Sequence, residues 1–364
     1  MTVGANPCWD VVIVGSGPAG SAAAIQLCER DRSLAARTLL LDRAQFPRHK
    51  LCGGGVVQRA DELLGFLGVR VNVPSLPIHA VKFEHPGGTT IRRGLDLFRI
   101  VRREEFDDAL VQAARARGVQ TREGEAVTAL RREADCVSIR TTAGQYRARV
   151  VVGADGAKSL VRRALVGAAA GQRFIALEVL TPEDPSTSVE FTEHTAVFDF
   201  RAVADGLRGY AWDFPSFKAG AALMNRGIGG VTWPRDRSLK HTLTGRLSER
   251  GVSFPNDDLE GAAVPLYNPN TSQSAERVVL AGDAVGVDPM MGEGISVAIG
   301  TGMIAAHAVV DGFKSGDLSF ADYGRRIASS SIGWSLRRNW MAAGLFYRRL
   351  RDGDGSSFPE SGFQ

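Results

Sequence analysis

The sequence predicts an α/β protein, α+β overall: a parallel sheet built from βαβ units, a second, antiparallel sheet, and a C-terminal helical segment. Three observations predict it. A continuous apolar strand, Asp10 to Val14, runs straight into Gly15-Ser16-Gly17-Pro18-Ala19-Gly20 and then into an Ala-rich helical stretch. A second apolar strand ending in Gly-Asp, Val278 to Asp283, recurs near the other end of the chain. Between the two, segments such as Tyr210, Trp212 and Phe214 alternate with the period of a strand that buries one face.

Each element has a physical reason. The small residues Ser21 to Ala24 let the first helix pack close to its strand, and its N-terminus faces the place a pyrophosphate would occupy. Thr38 to Leu41 forms the second strand and ends at Asp42, where an acidic residue binds a ribose 2′-hydroxyl and repels a 2′-phosphate. A glycine fingerprint between strand and helix, followed by that acid, implies an adenine dinucleotide with Gly15, Gly17, Gly20 and Asp42 as contacts. Asp283 is placed for a polyol hydroxyl, and the amides after Gly292 open a helix whose positive end suits charge developing on a ring. A polyol partner fits FAD, which has a ribitol chain, and not NAD.

The motifs fall in a recognisable order. Val152-Gly153-Ala154-Asp155-Gly156, Gly282-Asp283 and Arg103-Glu104-Glu105-Phe106-Asp107, together with the fingerprint, resemble the p-hydroxybenzoate hydroxylase superfamily. Within it, Cys52-Gly53-Gly54-Gly55 and Gly209-Tyr210-Ala211-Trp212-Asp213-Phe214-Pro215 resemble the geranylgeranyl reductase family. The resemblance implies a Rossmann-type FAD-binding domain of the glutathione-reductase and p-hydroxybenzoate-hydroxylase type, with an antiparallel substrate sheet. It also implies flavin contacts at Arg43, Cys52, Gly53, Gly54, Arg103, Asp155, Gly282, Asp283, Gly292 and Gly294. Tyr210, Trp212 and Phe214 would wall a cavity for a hydrophobic small molecule or lipid. Reduction of a prenyl C=C bond by reduced flavin follows, with Cys52 as the first candidate for shaping the proton step or gating flavin movement and Tyr210 as the second.

Departures and rivals are visible as well. Gly227-Ile228-Gly229 comes later after the proline than in the family, which a longer turn around Ser216 to Gly220 would explain. The chain is also short for the family. Rival readings are a flavin monooxygenase or halogenase-like enzyme acting on a small aromatic product, and a non-catalytic prenyl-binding escort. The electron donor expected is NAD(P)H or ferredoxin, since no second nucleotide-binding unit is evident.

Bulk properties set the frame. With 364 residues, 44% of them hydrophobic, and a net charge of +4, the chain suits an ordinary globular protein of two domains. No basic block interleaved with aromatics occurs in the body, so no nucleic-acid partner is expected. Cys8, Cys28, Cys52 and Cys136 have neither zinc spacing nor a disulfide pattern, and a cytoplasmic location is expected. The expected cofactor domain is 1–75, 98–165 and 275–325, the substrate domain 76–97 and 166–274, and the helix and tail 326–364. Seven arginines between Tyr323 and Arg351, with no acid among them, alternate with Trp334, Trp340 and Leu345. A helix of this kind either packs on the body or rests on an anionic membrane. The sequence leaves the oligomeric state open.

Overall fold

Cys8–Val14 lies at the centre of a parallel sheet because its run from Val11 to Val14 is wholly apolar: Val11, Val12 and Ile13 are completely buried. It pairs with Thr38–Leu41 on one side and with Gln145–Gly153 on the other, and the latter pairs in turn with Val278–Leu280. The order continues through Gln120–Arg122 at one edge and Ser274–Ala275 at the other. A hairpin, Val127–Arg132 with Val137–Thr141, extends Gln145–Gly153. Parallel strands bring their C-terminal ends to one edge, so Gly15, Asp42, Gly153 and Gly282 gather there. In the computed structural model, residues 8–168, 171–232, 238–255 and 258–353 are described.

Helices Pro18–Arg30, Arg103–Arg115 and Ile295–Ser315 cover this sheet. The first and last cross closely, since a Cβ on Gly302 would sit 2.3 Å from the Ala19 carbonyl oxygen. Ile295–Ser315 is long and apolar enough to cross a membrane, yet 78% of its most apolar window is buried. It is a core helix.

The second sheet has the order Glu260–Pro265, Arg173–Pro182, Ala221–Gly230, Gly209–Lys218, Thr195–Asp199, Ser75–His85, Gly88–Val101, Gly55–Val57. It is antiparallel as expected except at one place: Thr195–Asp199 runs parallel to Ser75–His85, the long excursion between them serving as the crossover. The domain boundary expected at 97/98 falls inside the strand Gly88–Val101, and Gly55–Val57, expected in the cofactor unit, is an edge strand of this sheet. The longer turn expected around Ser216 to Gly220 is absent. Pairing continues to Lys218 opposite Ala221 across a two-residue turn, Ala219-Gly220, both at positive φ. The late Gly-x-Gly is therefore the product of longer strands.

The last described element is helix Ser331–Arg351. Ile332, Leu336, Phe346, Tyr347 and Leu350 are buried against the body.

Candidate functional site

The glycine turn is fixed by backbone contacts. Gly15 has φ +99, and a Cβ there would lie 2.3 Å from the Ala154 carbonyl oxygen, so the fingerprint turn and the Asp155 turn are packed together. Gly17 differs: a Cβ there would meet only the Arg48 guanidinium, at 3.4 Å, leaving its face open. Asp42 is buried, accepting from the Ser16 amide at 2.7 Å and the Ala44 amide at 2.9 Å. Each carboxylate oxygen keeps a lone pair for a ribose hydroxyl. Arg43 beside it is exposed.

Asp155, expected to contact the cofactor, spends its carboxylate on its own turn. It accepts from Ser159 Oγ at 2.5 Å, Leu160 N at 2.6 Å and Val161 N at 3.0 Å. Burial pushes its carboxyl up, and these donors oppose the shift. Arg162, a few residues on, is buried and donates to the Ala284 carbonyl at 2.7 Å and to Gln273 Oε1 at 2.6 Å. It ties the Asp155 turn to the Gly282–Ala284 turn. Asp283 is partly exposed, with Lys50 Nζ 3.7 Å away. Gly292 has φ +69, and Gly294 caps the helix that starts at Ile295. Glu293 already accepts from Ser296 N at 2.7 Å, which occupies one amide of the helix end.

Arg103 is buried and holds Asp107 through two hydrogen bonds, 2.8 and 2.9 Å, while Arg48 reaches the same carboxylate at 3.0 Å. Burial opposes the Arg103 charge, but Asp107 and a hydrogen bond to the Cys52 sulfur raise its pKa regardless. Cys52 Sγ also accepts from the Gly54 amide at 3.4 Å.

Sequence reasoning missed what holds Cys52. Its amide donates to Glu178 Oε1 at 3.1 Å, and its carbonyl accepts from Asn225 Nδ2 at 3.4 Å. Asn225 Oδ1 in turn accepts from Trp212 Nε1 at 2.7 Å. Glu178 is buried, and burial pushes its carboxyl up, opposed by the Cys52 amide and Asn225. The one available signal was an isolated acid in an apolar strand, Phe174 to Val179.

Tyr210, Trp212 and Phe214 share one buried face, with ring centroids 5.9 and 6.3 Å apart in sequence order. Phe198 and Phe200 extend the wall to 5.4 and 5.3 Å from Tyr210. Gly227 and Gly229 face it from the next strand; a Cβ on Gly227 would lie 2.1 Å from the Trp212 ring. Gly53 lies against the wall, where a Cβ would be 2.9 Å from Phe214 Cδ2. Gly54 is instead turned onto Val101, so the three glycines do not form one flat ligand surface. Tyr210 Oη donates to the Met291 carbonyl at 2.5 Å, and burial raises its pKa. On the far side of Met290 and Met291 lies a cavity of about 480 Å³, bounded by the C-terminal helix.

The family profile described as "FAD binding domain" matches residues 9–310. The chain belongs to that FAD-binding family. Three relatives are instructive. An uncharacterized protein of Methanosarcina barkeri is 30% identical over 85% of this chain and 76% of its own length. The geranylgeranyl diphosphate reductase of Rhodobacter capsulatus is 29% identical, covering 87% and 79%. The menaquinone reductase of Mycobacterium tuberculosis is 29% identical, covering 82% and 75%. Among solved structures, a geranylgeranyl bacteriochlorophyll reductase-like protein from Thermoplasma acidophilum superposes with TM-score 0.76 at 21% identity, covering 95% and 90%. The flavin-dependent halogenase CmlS gives 0.70 at 20% identity, covering 98% of this chain and 67% of its own. The two structures establish the fold. The family and its reductase relatives make this an FAD-dependent oxidoreductase of geranylgeranyl reductase-like type, with the p-hydroxybenzoate-hydroxylase-type fold.

The residues present fit FAD. Gly17 leaves the helix N-terminus open to a pyrophosphate, Asp42 has capacity for a ribose, and Asp283 is an accessible carboxylate at the polyol position.

Proposed function

We propose that this flavoprotein reduces C=C bonds in a hydrophobic, isoprenoid-type substrate. The observation that carries the reading is the close approach of Gly53 to Phe214, together with the Cys52 carbonyl tied through Asn225 to Trp212, which sets the Cys52-Gly53 peptide at the edge of an aromatic wall. Rigid rings offer an unsaturated chain large apolar area at little entropic cost. Two relatives named for geranylgeranyl diphosphate and menaquinone reduction support a hydrophobic substrate.

Asp42, Asp283 and the open N-terminus at Gly17 would hold the flavin cofactor, which when reduced would supply a hydride to one alkene carbon. The other carbon takes a proton, and an isolated alkene requires a positioned acid for that. Cys52 gives up its S–H proton, and the thiolate left behind has the Gly54 amide and Arg103 on it until solvent returns a proton. Tyr210 is the weaker candidate, because its proton is committed to the Met291 carbonyl. Glu178 and Asn225 fix the Cys52 peptide from both sides. Electrons reach the flavin from NAD(P)H or ferredoxin.

The test is anaerobic incubation of the chemically reduced holoenzyme with prenyl diphosphates, prenylated lipids and quinones, reading products by mass. A gain of two hydrogens per reduced bond supports the reading. Substrate-dependent oxygen uptake with no such gain would replace it with the monooxygenase or halogenase reading. A colourless protein that binds prenyl lipid would make it an escort. Cys52→Ala should cut turnover by about a hundredfold or more while the protein stays yellow.

A further inference from the structure

Helix Ser331–Arg351 has two apolar faces, and the body covers only one. Leu336, Ala343, Tyr347 and Leu350 are buried. At about 100° per residue, Trp334, Met341 and Leu345 form a stripe on the opposite side, roughly 16 Å long. They are 62%, 70% and 50% exposed. Arg338 and Arg349 border this stripe on one flank, Arg337 and Arg348 on the other.

The charges are as one-sided as the apolar residues. Among the described residues none of these four arginines has an ion-pair partner, whereas Arg351 has Asp352 at 3.5 Å. The Arg338 guanidinium lies 5.2 Å from the Trp334 ring centroid, a cation–π contact at the surface. A face meant for water mixes signs and carries no stripe of large apolar side chains. An isologous contact with a second copy would bring arginine against arginine. A nucleic acid would use the cations and leave Met341 and Leu345 unsatisfied. An anionic lipid surface satisfies both.

The cavity of about 480 Å³ sharpens this. Trp334, Arg338, Leu345 and Arg349 border it, and Met290 and Met291 form its inner wall. The cavity is therefore bordered by the face that carries the stripe.

We propose that this face rests on an anionic phospholipid bilayer. Trp334, Met341 and Leu345 enter the boundary between head groups and acyl chains, and the four arginines lie among the lipid phosphates. The placement does not depend on which bond the enzyme reduces.

Flotation of the FAD-loaded protein with vesicles tests it directly. With phosphatidylglycerol in the vesicles the protein should float at about 0.1 M salt, with a blue shift of tryptophan emission; phosphatidylcholine alone should hold much less, and about 1 M salt should release it. Replacing the four arginines together (R337Q, R338Q, R348Q, R349Q) should weaken partition at least about a hundredfold, at about 1 kcal/mol per basic residue. Replacing the stripe (W334S, M341S, L345S) should abolish flotation with flavin content and melting temperature retained. Either set alone suffices, since all seven side chains lie on the outward side. Wild-type protein that stays behind, or variants that float as it does, would overturn the proposal. So would a dimer dispersed by the stripe variant, or retention on DNA that exceeds retention on vesicles. Each readout is independent of turnover, so a failed reductase assay and a failed flotation remain separate results.

Discussion

The two faces of strand Gly209–Lys218 are built from opposite materials. Tyr210, Trp212 and Phe214 look one way, into a wall of rings with no charged side chain among them. Asp213, completely buried, looks the other way and accepts from three cations: Arg226 at 3.2 Å, Arg246 at 2.9 and 2.6 Å, and Arg250 at 2.7 Å. Arg246 also donates to Asp199 at 2.9 Å, and it is carried by helix Leu239–Glu249. That helix is thus held over the ionic face by directional contacts. Directional contacts specify register, while rings offer a ligand a surface without demanding one orientation. The difference separates two kinds of contact: one face fixes where the strand lies by directional bonds, and the other packs Tyr210, Trp212 and Phe214 as buried rings.

Substitutions on each face should separate those roles, and the largest effect belongs to the ionic side. Asp213→Ala leaves the buried Arg226 and Arg246 and the half-buried Arg250 without their shared carboxylate and should cost about 3–5 kcal/mol in denaturant unfolding. The same face predicts the acid limb. Burial pushes the Asp199 carboxyl up, but Arg201 and Arg246 bring it from 3.8 to about 2. Its contribution is complete above pH 3.8 and is lost as pH falls towards about 2, because the unfolded chain takes up the proton first. Unfolding followed between these values should show stability rising with pH, and a flat profile would count against the ion cluster.

On the aromatic side, Gly227→Ala would force a Cβ to within 2.1 Å of the Trp212 ring. It should cost about 1–3 kcal/mol and reduce turnover well beyond what lost folded protein explains, with flavin absorbance retained. Loss of stability with unchanged specific activity would remove the wall from the chemistry.

The smallest stability effect and the sharpest diagnostic is Glu178→Gln. Burial raises the Glu178 carboxyl above 4.5, so as pH climbs past 4.5 the folded form gives up its proton later than the unfolded chain and stability falls. The glutamine variant should be as stable or more stable at neutral pH. Its alkylation rate at Cys52, read by peptide mass against pH, should nevertheless change, because Glu178 holds the Cys52 amide. A profile identical to wild type would make Glu178 a packing residue only.

How much of this the sequence disclosed depends on whether partners are close along the chain. The glycine turn, Asp42 and the Gly282-Asp283 strand end are local patterns with local causes, and they assemble at one sheet edge. The aromatic face was legible from a two-residue period. Glu178 and Asn225 were not, because each meets Cys52 only after the second sheet has paired, from 126 and 173 residues away. The packing of Gly54 was hidden for the same reason: the Val101 strand it lies against comes from the far side of a hairpin. Asp155 lies where the motif places it, but Ser159 turns its carboxylate inward. In the C-terminal helix, composition showed the arginines and tryptophans, and only packing decided which faced out.

Two bonds at the end of the chain reach further than their position implies. Tyr347 Oη donates to the Met290 carbonyl at 2.7 Å, and Asn339 Nδ2 donates to Asp288 at 2.6 Å. The turn that precedes Gly292 is thus clamped by the last described helix. The geometry of that turn therefore depends on a helix some forty residues further on being docked in place.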